Sequence, residues 1–324
     1  MVLTYGMSLP GRSHKADGTA CQDAHGVAYL RHGWVAVAVA DGVGSAKHSD
    51  EAAKLAVDSC LQHISDRIKG QRVSFSDNIS DTVKWEDLPN VMAEGYQAAQ
   101  KQIWDVIVRN GRHEHDYDTT LSVAIYDGKR IAYGHCGDGG VVGLRNDGGY
   151  VAVTKPQKGE DGVTVVPLRA GKDAWQFGFA EGDFASVLVA TDGVYDAFFP
   201  YLLKGQACEI YVPLIRFFMD NNDLGINMQS GADGLKAVEQ KRREFLEGES
   251  FASVQDDLTV VVGVNAQGAP QVRSAEYYAE PNWADLQEQW NKKAYPHLYV
   301  EAEQSSFGVA TEGSADTADT VGGE

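Results

Sequence analysis

No apolar run in this 324-residue chain comes near membrane length: the longest, Trp34 to Ala40, has seven residues, against the roughly 20 that a spanning helix needs. The opening residues MVLTYGMSLPGRSH lack the apolar core of a secretory signal, so a cytoplasmic location is expected. Cysteine is scarce. Cys21, Cys60, Cys136 and Cys208 stand far apart with no C-x-x-C pair, and they read as reduced, mostly buried thiols. Basic residues are outnumbered, 28 Lys+Arg against 46 Asp+Glu, for a formal charge of −18. That balance argues against nucleic acid or an anionic membrane as partner, because cations must supply every phosphate contact. Two covalent-nucleophile signatures are also missing, the G-x-S-x-G elbow and the C-x5-R stretch. Apolar residues, in contrast, are plentiful at 43%, enough for a large packed core.

The periodicity alternates between strands and helices. Gly26–Leu30 and Trp34–Ala40 read as paired strands around the turn at 31–33. Ser49 then caps a helix whose Ala53, Ala56, Val57, Cys60, Leu61, Ile64 and Ile68 recur at helical spacing up to Gly70. Residues 71–88 are polar and irregular in pattern, and a second helix is expected from Asn90 to Arg109. Hairpins follow: Thr119–Tyr126 with Arg130–Cys136 through Asp127-Gly128, and Gly139–Arg145 with Tyr150–Thr154 through residues 146–149. Residues 155–182 read as a long surface excursion carrying Lys155, Lys158, Arg169 and Lys172, which could meet a phosphorylated substrate or simply be solvated. Phe184–Thr191 and Leu258–Val264 are further strands, with helical patterns near 207–220 and 234–247. This order favours antiparallel sheets flanked by helices over a doubly wound parallel sheet.

Three regions are expected: a globular domain over 1–270, an extension over 271–300 whose Trp283, Leu286 and Trp290 at helical spacing dock a short helix on the body or else bind a partner, and an acidic disordered tail over 301–324. The tail has six acids and no Lys or Arg, which suits a solvated chain.

Asp41, Asp138, Asp192 and Asp256 each stand at an end of an apolar β-rich segment, and three of them precede glycine. One Asp-Gly is ordinarily a turn. Four short carboxylates on strand ends of one packed sheet system could converge at a rim. There they would repel one another unless protonated or bound to hard, oxygen-seeking cations.

Six segments carry a resemblance to a known family. They are residues 18–24 (GTACQDA), 39–44 (VADGVG), 118–121 (DTTL), 137–139 (GDG), 190–196 (ATDGVYD) and 255–259 (QDDLT). In this order, with apolar strands between them, they resemble the metal-dependent protein phosphatases (PPM, type 2C serine/threonine phosphatases), in a bacterial-type form. The resemblance implies an α+β fold, a four-layer αββα sandwich of two antiparallel sheets flanked by helices. It also implies two Mn²⁺ or Mg²⁺ ions at one rim, with a weaker third site. By position, Asp41 would bridge the ions and the Gly42 carbonyl would ligate one of them. Asp192 and Asp256 would hold the other ion, and Asp23 would act through bound water. Asp138, Asp192 and Asp196 would form the third site. The implied reaction is hydrolysis of phosphoserine or phosphothreonine on a protein by metal-activated water, opposing a kinase.

The sequence departs from the family pattern in places. Val43 stands where eukaryotic members often carry a His general acid. The family's phosphate-gripping Arg has no clear counterpart among Arg12, His14 and Lys15. His14 matches its position best and is counted with Asp41, Asp192 and Asp256 as a catalytic candidate. Asp257 falls where the family often has Asn and is not assigned as a ligand. Asp118 replaces a glycine, either as a turn residue or as an added acid. His113 and His115 beside Asp116 suit a polar loop better than a transition-metal site. Two rival readings stay open: a catalytically silent phosphoprotein-binding member of the same fold, and a hydrolase of small phosphoesters. The intact set of Asp41, Asp192 and Asp256 favours an enzyme.

Overall fold

A computed structural model describes residues 1–69, 83–159, 164–220, 224 and 231–299. Among the described residues, ten strands form two antiparallel sheets of five. One sheet holds β1 (Val2–Leu9), β10 (Leu258–Asn265), β9 (Phe184–Ala190), β6 (Gly140–Arg145) and β7 (Tyr150–Ala152), in that order. The other holds β2 (Ala24–Tyr29), β3 (Val35–Ala40), β4 (Leu121–Tyr126), β5 (Ile131–Cys136) and β8 (Gln176–Phe179). Helices α2 (Ser49–Lys69) and α3 (Leu88–Asn110) cover the second sheet. Helices α4 (Asp192–Phe198), α5 (Val212–Met219) and α6 (Ala232–Glu247) cover the first, giving a four-layer α+β sandwich. A short α1 (Arg12–Asp17) follows β1, and α7 (Trp283–Ala294) lies near the C-terminal end of the described residues. No helix among those residues is long and apolar enough to cross a membrane.

Three apolar layers hold the sandwich together. Val35, Val37 and Val39 of β3 meet Val187, Val189 and Val261 between the sheets. The alternate residues Ala36, Ala38 and Ala40 face α2 and α3. Burial on both faces is why β3 reads as an unbroken VAVAVA run instead of alternating with polar residues. Each fully buried valine contributes on the order of 1.5–2 kcal/mol relative to exposure, so these layers rather than surface ion pairs carry the stability. Small residues on the helix side let α2 lie close. A Cβ on Gly26 would come within 2.7 Å of the Val57 and Leu61 methyls.

Several elements differ from the sequence reading. Tyr5, Met7 and Leu9 alternate toward the core in β1, an N-terminal strand that the pattern had not suggested. The excursion over 155–182 contains β8, which pairs with β5 from Ala132 opposite Phe179 to His135 opposite Gln176. As a four-residue, half-exposed edge strand it leaves almost no periodic signal. The helix expected from 207 begins at Val212, with Pro213 in its first turn, where proline's missing N–H costs nothing. Of the stretch expected to be irregular over 71–88, residues 71–82 lie outside the described residues, as does the acidic tail, while a 3-10 turn at Trp85–Asp87 leads directly into α3.

Candidate active site

Antiparallel pairing decides where the acids go. Ala24 opposes Ala40, Leu121 opposes Cys136, Leu9 opposes Leu258, Val260 opposes Ala190, and Gly140 also opposes Ala190. The exits of β1, β3, β5 and β9 and the entries of β2, β4, β6 and β10 therefore share one rim. Asp23 and Asp41 flank the β2–β3 pair there, Asp138 lies between β5 and β6, Asp192 follows β9, and Asp256 precedes β10. Thr119 and Thr120, just before β4, anchor Asp41. The Thr119 hydroxyl donates to the Asp41 carbonyl at 2.8 Å, and the Asp41 N–H donates to Thr120 Oγ1 at 2.9 Å.

Carboxylate oxygens of Asp41, Asp138 and Asp192 lie within 4.8 Å of one another. Burial, then the charges of Asp23, Asp192 and Asp256, holds the Asp41 carboxyl well above the usual carboxylate range. Burial raises Asp192 as well, reinforced by Asp138, Asp256, Asp23 and Asp196. Asp23 is buried and also raised by burial, although the Thr191 hydroxyl donates to its Oδ2 at 2.8 Å. Asp138 is shifted upward by burial, against the opposing charge of Lys158. Asp196 is exposed at the mouth, and its Oδ2 faces Lys158 Nζ at 3.7 Å. Asp256 also borders the site from an exposed position.

The glycines after these aspartates serve close approach more than turning. A Cβ at Gly42 would stand 2.6 Å from the Gln22 carbonyl oxygen, and one at Gly193 would collide with the Asp257 carbonyl oxygen.

Asp257, passed over in the sequence reading, is a buried hub. Its Oδ1 accepts from the Gly11 N–H at 2.6 Å and from His14 Nδ1 at 2.8 Å, while Oδ2 accepts from the Gln22 N–H at 2.5 Å. One carboxylate thus ties together the start of α1, the segment leading into β2 and the entry of β10. Of the three phosphate-grip candidates, only His14 reaches the cavity wall. Arg12 is exposed, and Lys15 pairs with Glu247 at 3.5 Å. Asp118 is not an added acid of the cluster. It forms a two-point ion pair with Arg169, Nε to Oδ1 at 2.7 Å and Nη2 to Oδ2 at 3.0 Å, which ties Arg169 down. The apolar spacing around Asp257 carried no sign of this role, because its three partners are distant in sequence.

The acids open into one cavity of about 1240 Å³. His14, Gln22, Asp41, Asp138, Asp192, Asp196 and Asp256 line one end. A family profile described as protein phosphatase 2C matches residues 10–223. The chain belongs to the protein phosphatase 2C family. The matched stretch contains Asp23, Asp41, Asp138, Asp192 and Asp196 and stops before Asp256, which β10 returns to the same rim. A search of curated proteins finds no match. Among solved structures, a bacterial serine phosphatase is 12% identical, with a TM-score of 0.53 over 84% of this chain and 100% of that one. The serine/threonine phosphatase Stp1 from Staphylococcus aureus is 13% identical, with a TM-score of 0.51 over 82% of this chain and 95% of that one. The catalytic domain of the serine/threonine protein phosphatase PstP, in complex with 2 manganese ions, is 16% identical, with a TM-score of 0.51 over 81% of this chain and 97% of that one. These likenesses establish the shared sandwich of the 2C family.

Proposed function

We propose that the chain is a Mn²⁺- or Mg²⁺-dependent phosphatase that hydrolyses phosphoserine and phosphothreonine on proteins, opposing a serine/threonine kinase. One observation carries the reading: Asp41, Asp138 and Asp192, far apart in sequence, come within 4.8 Å of one another in a cavity. The donor set fits hard divalent cations. Every convergent group is a carboxylate, and Asp138 Oδ1 and Gln22 Oε1 are buried without a hydrogen-bond partner among the described residues. Asp41, the Gly42 carbonyl, Asp192 and Asp256 would hold two ions, Asp23 would act through bound water, and Asp138, Asp192 and Asp196 would form a weaker third site. Bound there, the ions would supply Lewis acidity for the phosphoryl oxygens and a water activated for in-line attack.

The remaining work falls to the protein. Asp257 accepts from His14 Nδ1, which fixes the ring's tautomer and orientation and leaves Nε2 as the nitrogen available to the phosphate. His14 thereby takes the place of the missing arginine, as a single-point contact where arginine would grip at two points. Arg12 and Lys15 stand outside the cavity wall and take no part in the grip. Phosphorus–oxygen cleavage releases the serine or threonine alkoxide, which takes up the proton that the attacking water gives up, and inorganic phosphate leaves.

Phosphate release from a phosphoserine peptide tests the reading. It is expected to require Mn²⁺, to stop on adding EDTA, and to fall at least about a hundredfold in Asp192→Ala. Equal rates in the wild type and Asp192→Ala would refute it.

A further inference from the structure

The cavity does not end at the acids. It also has a mainly apolar and aromatic arm, walled by Leu214 and Phe217 of α5, Phe251, Val254, Tyr211 and Trp283, with Ser250 and Ser253 beside Phe251. Trp283 comes from outside the sandwich, from the segment after β10. That segment is strapped along the molecule at successive points. The Gln271 N–H donates to the Asn146 carbonyl at 2.8 Å, Arg273 pairs with Asp147 at 3.0 Å, and the Tyr150 N–H donates to Tyr277 Oη at 2.9 Å. The Arg216 guanidinium then lies over the Tyr278 ring at 4.3 Å. At the cavity, Glu280 Oε1 accepts from both Tyr211 Oη and Trp283 Nε1 at 2.7 Å, and the two rings meet edge to face at 5.2 Å. Asn282 caps α7 by accepting from the Asp285 N–H, and Trp290 meets Tyr201 at 5.8 Å. Trp283 is thus a fixed wall of the arm.

We infer that this arm is a peptide subsite that receives apolar side chains flanking the phosphorylated residue of a protein substrate, with Trp283 as its selectivity residue. The inference rests on the phosphatase reading of the acid end, because it takes the phosphoryl group to sit there. Three features select this occupant. The arm is continuous with the acids, so a chain whose phosphate sits among them extends its neighbours along it. None of the described residues lining the cavity is a lysine or arginine, and the chain carries −18, so acidic flanks are repelled. Rigid aromatic walls whose polar tips are already bonded to Glu280 bind apolar groups at little ordering cost.

The test compares two phosphoserine peptides, one flanked by leucine and phenylalanine and one by serine and glycine, with p-nitrophenyl phosphate. In the wild type, kcat/KM for the apolar peptide exceeds that for the polar one. In Trp283→Ala the ratio of apolar peptide to p-nitrophenyl phosphate falls about tenfold, through KM, and Trp283→Phe recovers part of it. Anisotropy of the labelled, dephosphorylated apolar peptide gives a separate readout, with Kd about tenfold weaker in Trp283→Ala. If no substrate releases phosphate, the phosphatase reading fails while that binding difference still tests the arm. Equal kcat/KM for the two peptides in the wild type, or a ratio and Kd unmoved by Trp283→Ala, would overturn the subsite.

Discussion

The carboxylates of Asp41, Asp138 and Asp192 face one another within 4.8 Å, and burial, reinforced by the charges of neighbouring aspartates, shifts all three toward protonation. Such a cluster costs folding energy that a cation offsets. Asp192→Asn is therefore expected to stabilise the protein in EDTA, by about 1 kcal/mol, and to remove most of the stabilisation that Mn²⁺ gives the wild type. Calorimetric melting of both proteins with and without Mn²⁺ reads this crossing. A variant less stable in EDTA, or one that gains as much from Mn²⁺ as the wild type, contradicts it. At this scale the sequence exposed the acids through their place at strand ends but hid Asp257. Its importance comes from three partners, Gly11, His14 and Gln22, which lie more than 230 positions away in the chain.

Between elements, polar contacts lock the hairpins beneath the site. His135 on β5 is fully buried, and its Nε2 donates to the Lys155 carbonyl at 3.1 Å, so Nδ1 accepts from the Ser122 hydroxyl on β4 at 2.9 Å. Burial lowers its pKa from 6.5 to about 4. The unfolded chain takes up this proton near pH 6.5 while the folded chain resists until about 4. The resulting stability is fully present above 6.5 and is lost as pH falls toward 4, by at most about 3 kcal/mol. Urea unfolding at pH 7 and 4.5 should show the wild type losing more stability between the two than His135→Gln. Equal losses would place the acid sensitivity elsewhere. The β3, β4, β5 and β9 strands and helices α2 and α3 were legible because doubly buried strands and long amphipathic helices leave strong periodic patterns. The short α1, α4 and β8 were not, since six or seven residues of helix, or four of edge strand, hold too few periods to stand out.

For the molecule as a whole, antiparallel closure of two sheets turns the ends of eight strands toward one rim, and the six sequence segments that resembled the family fall on or beside that rim. What the sequence could not convey is how the segment after β10 returns along the first sheet to set Trp283 into the cavity wall. That path depends on scattered contacts such as Arg216 with Tyr278, and not on any pattern in 271–283 itself. The account rests on carboxylates gathered to hold cations, and X-ray diffraction from crystals soaked in Mn²⁺, with anomalous differences recorded at the manganese edge, tests that most directly. Peaks are expected with oxygen distances of about 2.0–2.6 Å to Asp41, Asp192 and Asp256. An anomalous map without a peak among these carboxylates would contradict it.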